Sequence, residues 1–118
     1  MKKIYHLGNC TTCQRIIKEL NLDSEIVQQD IKLDKITSEQ LEEMAKLSGS
    51  YESLFSRRAM KYKELGLKDQ NLTEDDYKNY ILSEYTFLKR PVLLINDKIF
   101  IGNSKKTVEN AKTELESN

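Results

Sequence analysis

The sequence predicts an α/β fold in which helices pack on a mixed sheet built around an N-terminal βαβ unit. Two observations support this prediction. Near the N-terminus, two apolar runs flank a segment with helical periodicity, and near the C-terminus two short apolar runs form a hairpin pattern followed by a helix. A chain of 118 residues is long enough for one hydrophobic core and too short for two. We therefore expect residues 1–118 to form a single domain.

The N-terminal segment predicts a strand, a helix and a second strand. Residues 2–7 contain Ile4, Tyr5 and Leu7, and Gly8-Asn9 then predicts a turn. The hydroxyls of Thr11 and Thr12 can accept hydrogen bonds from free amides, which predicts that they cap a helix. The apolar face of this helix comprises Ile16, Ile17 and Leu20. Residues 25–31 predict the second strand.

The middle of the chain predicts a series of helices. Thr37 and Ser38 begin the first, which Gly49 closes. Apolar residues in the range 51–66 recur close to every 3.6 positions, which predicts one or two short helices. Thr73, followed by three acidic residues that suit the positive end of the helix dipole, begins another. The middle segment is therefore helical.

The C-terminal segment predicts an antiparallel hairpin and a closing helix. The hairpin covers residues 92–102, with Asn96-Asp97-Lys98 between its two apolar runs, and the helix covers residues 104–116.

Charge and hydropathy exclude several classes of protein. Nineteen basic and nineteen acidic residues cancel, so net charge favours neither nucleic acid nor membrane surfaces. No long apolar stretch follows Lys2-Lys3, and the longest aliphatic run covers only residues 92–95, which indicates neither a signal peptide nor a transmembrane helix. We expect a cytoplasmic protein.

Both cysteines lie in one CxxC motif at the predicted turn between strand and helix. Such a pair in a chain that is not exported indicates redox chemistry or metal binding. A structural zinc site needs four ligands, and the chain has no second Cys or His pair, so we expect no metal. Free amides and the helix dipole favour a thiolate at Cys10, while Cys13, one turn further on, suits the role of resolving thiol. The alternative is two inert core cysteines.

Three further positions are candidates for the same site. His6 lies four residues before Cys10 and can reach the thiol as a proton acceptor or a local cation; alternatively, it is a strand histidine bonded to backbone. We predict a cis bond between Arg90 and Pro91, which places Arg90 beside Cys10. Arg57 and Arg58 add positive charge if the middle helices fold back over the turn, and otherwise form a solvated helix face.

Three segments resemble the arsenate reductase (ArsC) and Spx group of thioredoxin-like proteins. IYHLGNCTTC resembles the opening strand and cysteine loop of the group, SRRAMKYKELGL its middle helix, and KRPVLLINDKIFIG its Arg-Pro hairpin. The order and spacing match over essentially the whole chain. The resemblance implies a thioredoxin-like (glutaredoxin-like) three-layer sandwich, a mixed sheet of about four strands with a helical insertion between the βαβ and ββα halves.

The resemblance also implies a nucleophilic thiol at Cys10. In arsenate reductases of this group that thiol attacks arsenate, glutathione and glutaredoxin complete the reduction, and three arginines hold the oxyanion. Arg90 matches one of these arginines, and Arg58 falls where Spx-like proteins and glutathione-dependent thiol reductases have one. The histidine at the position of His6 also occurs in the group. With these we assign Thr11, Thr12, Arg57 and Pro91 to the expected substrate site.

The sequence departs from the arsenate reductases in three places. In the middle helix, Ser56 stands about where the arsenate reductases place their arginine. After the last strand, Asn103 and Ser104 stand where the third arginine is expected, and the nearby Lys105 and Lys106 lack the planar fork that grips an oxyanion. The intact CxxC motif also favours the Spx-like branch. The first hypothesis is therefore a thiol-disulfide oxidoreductase that needs no bound cofactor, acts as a monomer and uses glutathione, glutaredoxin or thioredoxin as its partner.

Two alternatives remain open. One is arsenate reduction proper. The other is a redox-switched regulator that binds the C-terminal domain of the α-subunit of RNA polymerase, as Spx proteins do, with Cys10 and Cys13 as the sensor. A CxxC pair serves either role, so the motif does not discriminate between them. We expect no direct binding to nucleic acid and no binding to membranes.

Overall fold

The computed structural model describes residues 2–22 and 24–117, and within them a four-stranded mixed sheet and five α-helices. In chain order these are β1 (Lys2–His6), α1 (Thr11–Leu20), β2 (Val27–Asp30), α2 (Ser38–Ser48), α3 (Met60–Glu64), α4 (Glu74–Ser83), β3 (Val92–Ile95), β4 (Lys98–Ile101) and α5 (Lys105–Glu116). Short 3₁₀ turns occupy Glu52–Leu54, Leu67–Asp69 and Tyr85–Phe87. The predicted α/β fold with a mixed sheet is confirmed.

The strand pairing brings four strand ends to one edge of the sheet. The strand order is β2-β1-β3-β4; β1 pairs with β2 in parallel, and the other two pairs are antiparallel. In this register His6 lies opposite Asp30, and Tyr5 lies opposite Val92. The carboxyl ends of β1, β2 and β4 therefore lie at the same edge as the amino end of β3. We call this edge the site edge.

One face of the sheet is covered by α1 and α5. Because successive side chains of a strand point to opposite faces, Ile4 and its neighbour Leu93 on β3 share one face. They form one buried cluster with residues of both helices. The buried members of this cluster are Ile4, Ile16, Leu20, Ile26, Leu93, Ile95, Val108 and Ala111. This apolar contact anchors α1, whose first turn carries the cysteines.

The chain divides into two compact units. The first comprises the chain up to Lys35 together with the segment from Arg90 onward, and it contains the sheet, α1 and α5. The second, Ile36–Lys89, contains α2, α3 and α4. In the sequence, this second unit lies between the βαβ half and the ββα half, which is where the helical insertion was predicted.

Aromatic side chains fill the interior of the second unit. The ring of Phe55 is stacked on that of Phe87 with 5.0 Å between centroids, and it also contacts Tyr62 and Tyr77. Residues 54–56 and 87–89 are joined through their backbones, since Ser56 donates to the carbonyl of Phe87 at 2.7 Å. The segment that ends immediately before Arg90 is thereby fixed within its own unit.

The boundaries of the first elements differ from the prediction. The second strand is shorter than residues 25–31, because the carbonyl of Asp30 accepts from the amides of Leu33 and Asp34 and so begins a turn. The prediction that Thr11 and Thr12 cap α1 is wrong. The amide of Gln14 donates to the carbonyl of Cys10 at 3.0 Å, so the helix begins earlier, with Cys10 at the capping position and both threonines in its first turn.

The caps of α2 and α4 are confirmed. The hydroxyl of Thr37 accepts from the amide of Gln40, and the Gln40 side chain accepts in return from the amide of Thr37. Thr73 and Asp76 form the same reciprocal pair at α4. All five helices are short. None within residues 2–22 or 24–117 has both the length and the apolar character needed to cross a membrane.

These caps predict which threonines stabilise the fold. Thr37→Ala and Thr73→Ala each remove an acceptor for a free helix amide, and each should lower the free energy of unfolding by about 1 kcal/mol. Thr11→Ala is the matched control, since Thr11 is exposed and lies one residue past the capping position, and its loss should leave stability unchanged or slightly raised. Urea unfolding measures all three. An equal loss in Thr11→Ala would contradict the assignment of the caps.

Candidate active site

The two cysteines lie at the site edge, where the chain leaves β1 and enters α1. Cys10 is half-buried at the capping position, and its amide donates to the carbonyl of Leu7 at 3.1 Å. Cys13 lies one turn into the helix and is fully buried. Both are free thiols. The site therefore contains one accessible sulfur and one enclosed sulfur.

The surroundings of Cys10 favour its thiolate. Partial burial acts to raise the pKa of Cys10, but the backbone N–H and the thiol of Cys13, the backbone N–H of Thr12 and the positive charge of Arg90 outweigh it. The net effect lowers the pKa of Cys10 below that of an ordinary cysteine. Cys10 occupies the capping position without a side-chain capping hydrogen bond of the usual geometry. The amides of Thr12 and Cys13 belong to the first turn of α1, so they act on the Cys10 sulfur as the positive end of the helix dipole. A larger fraction of thiolate at neutral pH follows.

The surroundings of Cys13 favour its protonated form. Burial raises the pKa of Cys13 to about 11, and the adjacent Cys10 sulfur acts in the same direction. A hydrogen bond with the backbone of Leu7 and the charge of Arg90 offset this only in part. The pKa values of the two thiols thus move in opposite directions. Cys10 is suited to attack, whereas Cys13 is suited to hold a proton.

Arg90 and Pro91 lie at the amino end of β3, on the same edge. The peptide bond between them is cis, as predicted. The carbonyl of Pro91 accepts from the amide of Gly102 at 2.9 Å, which ties the start of β3 to the end of β4. The guanidinium of Arg90 is close enough to lower the pKa of both Cys10 and Cys13. Arg90 therefore lies at the site edge and acts on both thiols, and its role in binding a substrate stays a prediction.

His6 ends β1 and is buried. Its carbonyl accepts from the amide of Ile31 at 2.9 Å, but its Nδ1 atom makes no hydrogen bond with any residue that the structure describes. The expectation that His6 exchanges a proton with Cys10 stays a prediction. Thr11 and Thr12 lie in the first turn of α1, directly after Cys10. Thr11 is exposed and Thr12 is half-buried.

The other two arginines that were assigned to the expected substrate site, Arg57 and Arg58, lie in the second unit. Arg57 donates to Glu52 Oε2 at 2.9 Å and to the hydroxyl of Tyr77 at 3.2 Å. Arg58 is exposed, and its guanidinium makes no hydrogen bond or ion pair with another described side chain. The two neighbours thus differ, since Arg57 is engaged in its own unit and Arg58 is available to a ligand.

One residue of the site was not predicted from the sequence. The carboxylate of Asp30, at the end of β2, accepts a hydrogen bond from the amide of Gly8 at 3.0 Å. The signal that could have identified it is an acidic residue at the carboxyl end of a strand parallel to β1, because such ends meet at one edge. Among residues 2–22 and 24–117, no group of three or more His, Cys, Asp or Glu side chains is arranged to hold a metal ion.

Comparison with known proteins identifies the family of the chain and agrees with its overall fold. The model of the ArsC family matches residues 5–111. The solution structure of SACOL0876 from Staphylococcus aureus COL is 28% identical with a TM-score of 0.72, covering 93% of this chain and 97% of that chain. A possible arsenate reductase from Streptococcus mutans UA159 is 26% identical with a TM-score of 0.72, covering 94% of this chain and 97% of that chain.

A more distant structure supports the fold alone. An arsenate reductase from Vibrio cholerae is 22% identical with a TM-score of 0.74, covering 92% of this chain and 95% of that chain. Comparison with curated proteins finds no match. The family model spans most of the sequence, and the similar structures extend over nearly all of both chains. The chain therefore belongs to the ArsC family and has the thioredoxin-like fold of arsenate reductase-related proteins.

Proposed function

We propose that this ArsC-family protein is a cytoplasmic thiol-disulfide oxidoreductase in which Cys10 is the nucleophile and Cys13 the resolving thiol. The observation that carries the proposal is the pair of thiols at the start of α1. The pKa of Cys10 is lowered, and that of the enclosed Cys13 is raised to about 11. Attack requires a thiolate, which the lowered pKa of Cys10 favours, and a protonated Cys13 does not compete with Cys10 for the substrate disulfide in the first exchange.

The reaction proceeds by two exchanges. The Cys10 thiolate attacks one sulfur of a substrate disulfide, the S–S bond breaks, and the departing thiolate takes a proton from solvent. Cys13 then attacks the Cys10 sulfur while its proton passes to the departing substrate sulfur. The Cys10–substrate S–S bond breaks, the Cys10–Cys13 disulfide forms, and the second substrate thiol is released. Two electrons have passed from the protein to the substrate. Two molecules of glutathione, or a reduced glutaredoxin or thioredoxin, return them and restore both thiols.

Positive charge around the thiol supports an anionic substrate such as a glutathione mixed disulfide, since glutathione carries two carboxylates. Arg90 acts directly on the sulfurs, and its charge suits a carboxylate of such a substrate. Arg58, which the family resemblance assigns to substrate binding, has an exposed guanidinium within the second unit. Pro91, Thr11 and Thr12 complete the proposed contact region at the site edge. Arg57 is engaged within its own unit through Glu52 and Tyr77.

The segment after β4 favours a disulfide over arsenate. It offers no arginine, and the hydroxyl of Ser104 accepts from the amide of Thr107 at 3.1 Å as the cap of α5. Lys105 and Lys106 are point charges on flexible stems, and they cannot grip an oxyanion at two oxygens as a guanidinium does.

Replacing the two cysteines should have different consequences. Cys10→Ser should abolish reduction of a glutathione mixed disulfide, because the attacking thiolate is lost. Cys13→Ser should leave the first exchange intact and trap a mixed disulfide on Cys10, visible by mass spectrometry of the intact protein. Undiminished turnover in both variants would refute the mechanism. Absence of turnover in the wild type, with oxidation instead changing its binding to the C-terminal domain of the α-subunit of RNA polymerase, would favour the redox-switched regulator.

Arsenate should be a poor substrate. In a single-turnover assay with glutathione and glutaredoxin, the wild type should yield no arsenite above the blank while it reduces a mixed disulfide in a parallel reaction. The second protein in this assay is Asn103→Arg, which places a guanidinium after β4 where it can bind an oxyanion at two oxygens. If either protein forms arsenite, this variant should form more of it than the wild type. Stoichiometric arsenite from the wild type would establish arsenate reduction proper.

The raised pKa of Cys13 predicts how stability depends on pH. The unfolded chain releases the Cys13 proton near an ordinary pKa of about 8.5, whereas the folded protein holds it to about 11. The unfolded state therefore binds fewer protons between these values, so the reduced wild type should lose stability as pH rises through that window. The loss relative to Cys13→Ala should be on the order of 1–3 kcal/mol by pH 11. Parallel stability curves for the two proteins would contradict the assignment.

A further inference from the structure

Asp30 is joined to the loop between β1 and α1 although 22 residues separate it from Gly8 in the sequence. Its Oδ2 atom accepts from the amide of Gly8 at 3.0 Å. We propose that Asp30 is a positioning residue for Cys10: by holding the Gly8 amide, it fixes the loop that presents the nucleophile at the start of α1. This inference rests on the proposed function, because it assigns Asp30 a part in that reaction.

The carboxylate of Asp30 is itself held in place. Its Oδ1 atom accepts from the amide of Lys32 at 3.0 Å, and its backbone carbonyl accepts from the amides of Leu33 and Asp34. Asp30 also lies opposite His6 in the parallel ladder that joins β2 to β1. Both carboxylate oxygens and the backbone are therefore fixed by the sheet and by the turn that follows it. Such a group can act as a rigid anchor.

The contact with the loop requires glycine at position 8. A Cβ atom built on Gly8 would overlap the Oδ2 atom of Asp30. Any larger side chain must displace the carboxylate or move the loop, and either change breaks the hydrogen bond. The close approach of Gly8 to Asp30 therefore makes this contact sensitive to any side chain added at position 8.

Hydrogen bonds hold the loop between strand and helix, and Asp30 accepts the one from the amide of Gly8. The carbonyl of Leu7 accepts from the amide of Cys10 and from the side-chain amide of Gln14. Gly8 and Asn9 are both exposed, so side-chain packing adds little to hold this segment. Loss of the Asp30 tether would let the loop move. The Cys10 sulfur would then spend less time against the amides of Thr12 and Cys13 that stabilise its anion.

The contribution of Asp30 is one of geometry and not of charge. A free carboxylate near a nucleophilic thiolate would oppose ionisation, but the charge of Asp30 is shared between two amide donors, Gly8 and Lys32. The charged and titratable groups that act directly on Cys10 are Arg90 and Cys13. Removal of the Asp30 side chain should therefore raise the pKa of Cys10 by freeing the loop, whereas loss of a nearby negative charge alone would lower it.

The test compares the alkylation of Cys10 by iodoacetamide, measured across pH by peptide mapping, in the wild type and in variants. Asp30→Ala should move the midpoint of the pH profile upward and slow alkylation at pH 7 by about 3- to 10-fold, because less thiolate is present. Asp30→Asn keeps one acceptor oxygen, which can serve the amide of Gly8 or that of Lys32 but not both, so its alkylation rate should lie between those of the wild type and Asp30→Ala. Asp34→Ala is the matched control, since Asp34 lies in the same turn, is exposed and uses only its backbone there.

A thermal melt of each variant separates a moved loop from an unfolded chain. Should Asp30→Ala fail to fold, Gly8→Ala breaks the same contact from the loop side and should give the same upward shift. A pH profile that Asp30→Ala and Gly8→Ala both leave unchanged would overturn the positioning role alone. A downward shift of the midpoint in Asp30→Ala and Asp30→Asn, as loss of a nearby negative charge would give, would show that charge matters instead. A wild-type Cys10 that titrates as an ordinary cysteine would overturn the proposed function itself.

Discussion

The chemistry of this protein depends on the interaction between the Cys10 sulfur and the first turn of α1. Removing a thiolate from water is unfavourable, and partial burial acts against ionisation at this position. The amides of Thr12 and Cys13, the Cys13 thiol and the charge of Arg90 reverse the balance. These contributions come from the first turn of α1 and from the start of β3, so they act together on Cys10 only when α1 is packed on the assembled sheet. The ionisation of the Cys10 sulfur, and with it the reactivity of the thiol, therefore depends on the folded structure.

The same arrangement separates the roles of the two thiols. One helical turn carries Cys13 from the exposed start of α1 into the buried face that packs on the sheet, where the proton is retained. Cys10 stays at the boundary with solvent. A CxxC motif placed across a helix start thus gives one thiol of each kind from the spacing of three residues, without any metal or cofactor being needed to explain the difference.

Much of this fold could be predicted from sequence because its signals are local. Turn residues after β1, the capping boxes at Thr37 and Thr73 and the hairpin after Pro91 each depend on a few neighbouring residues, and the structure confirms them. The predicted threonine cap of α1 was wrong because Cys10, Thr11 and Thr12 are adjacent and each could precede the helix. The hydrogen bond from the amide of Cys10 to the carbonyl of Leu7 closes a turn that places Cys10 at the capping position. Two adjacent arginines look equivalent in sequence, yet only Arg57 pairs with Glu52. Contacts between distant segments carry no local pattern, so Asp30 was missed.

A pH titration of thiolate absorbance in the reduced protein tests the central claim most directly, since it reports the charge of the sulfur without requiring a substrate. We expect a first ionisation in the wild type below the pKa of about 8.5 of an ordinary cysteine. That step should be absent from Cys10→Ser and retained in Cys13→Ser. A wild-type protein whose first ionisation lies well above that value, or whose first step persists in Cys10→Ser, would contradict the claim.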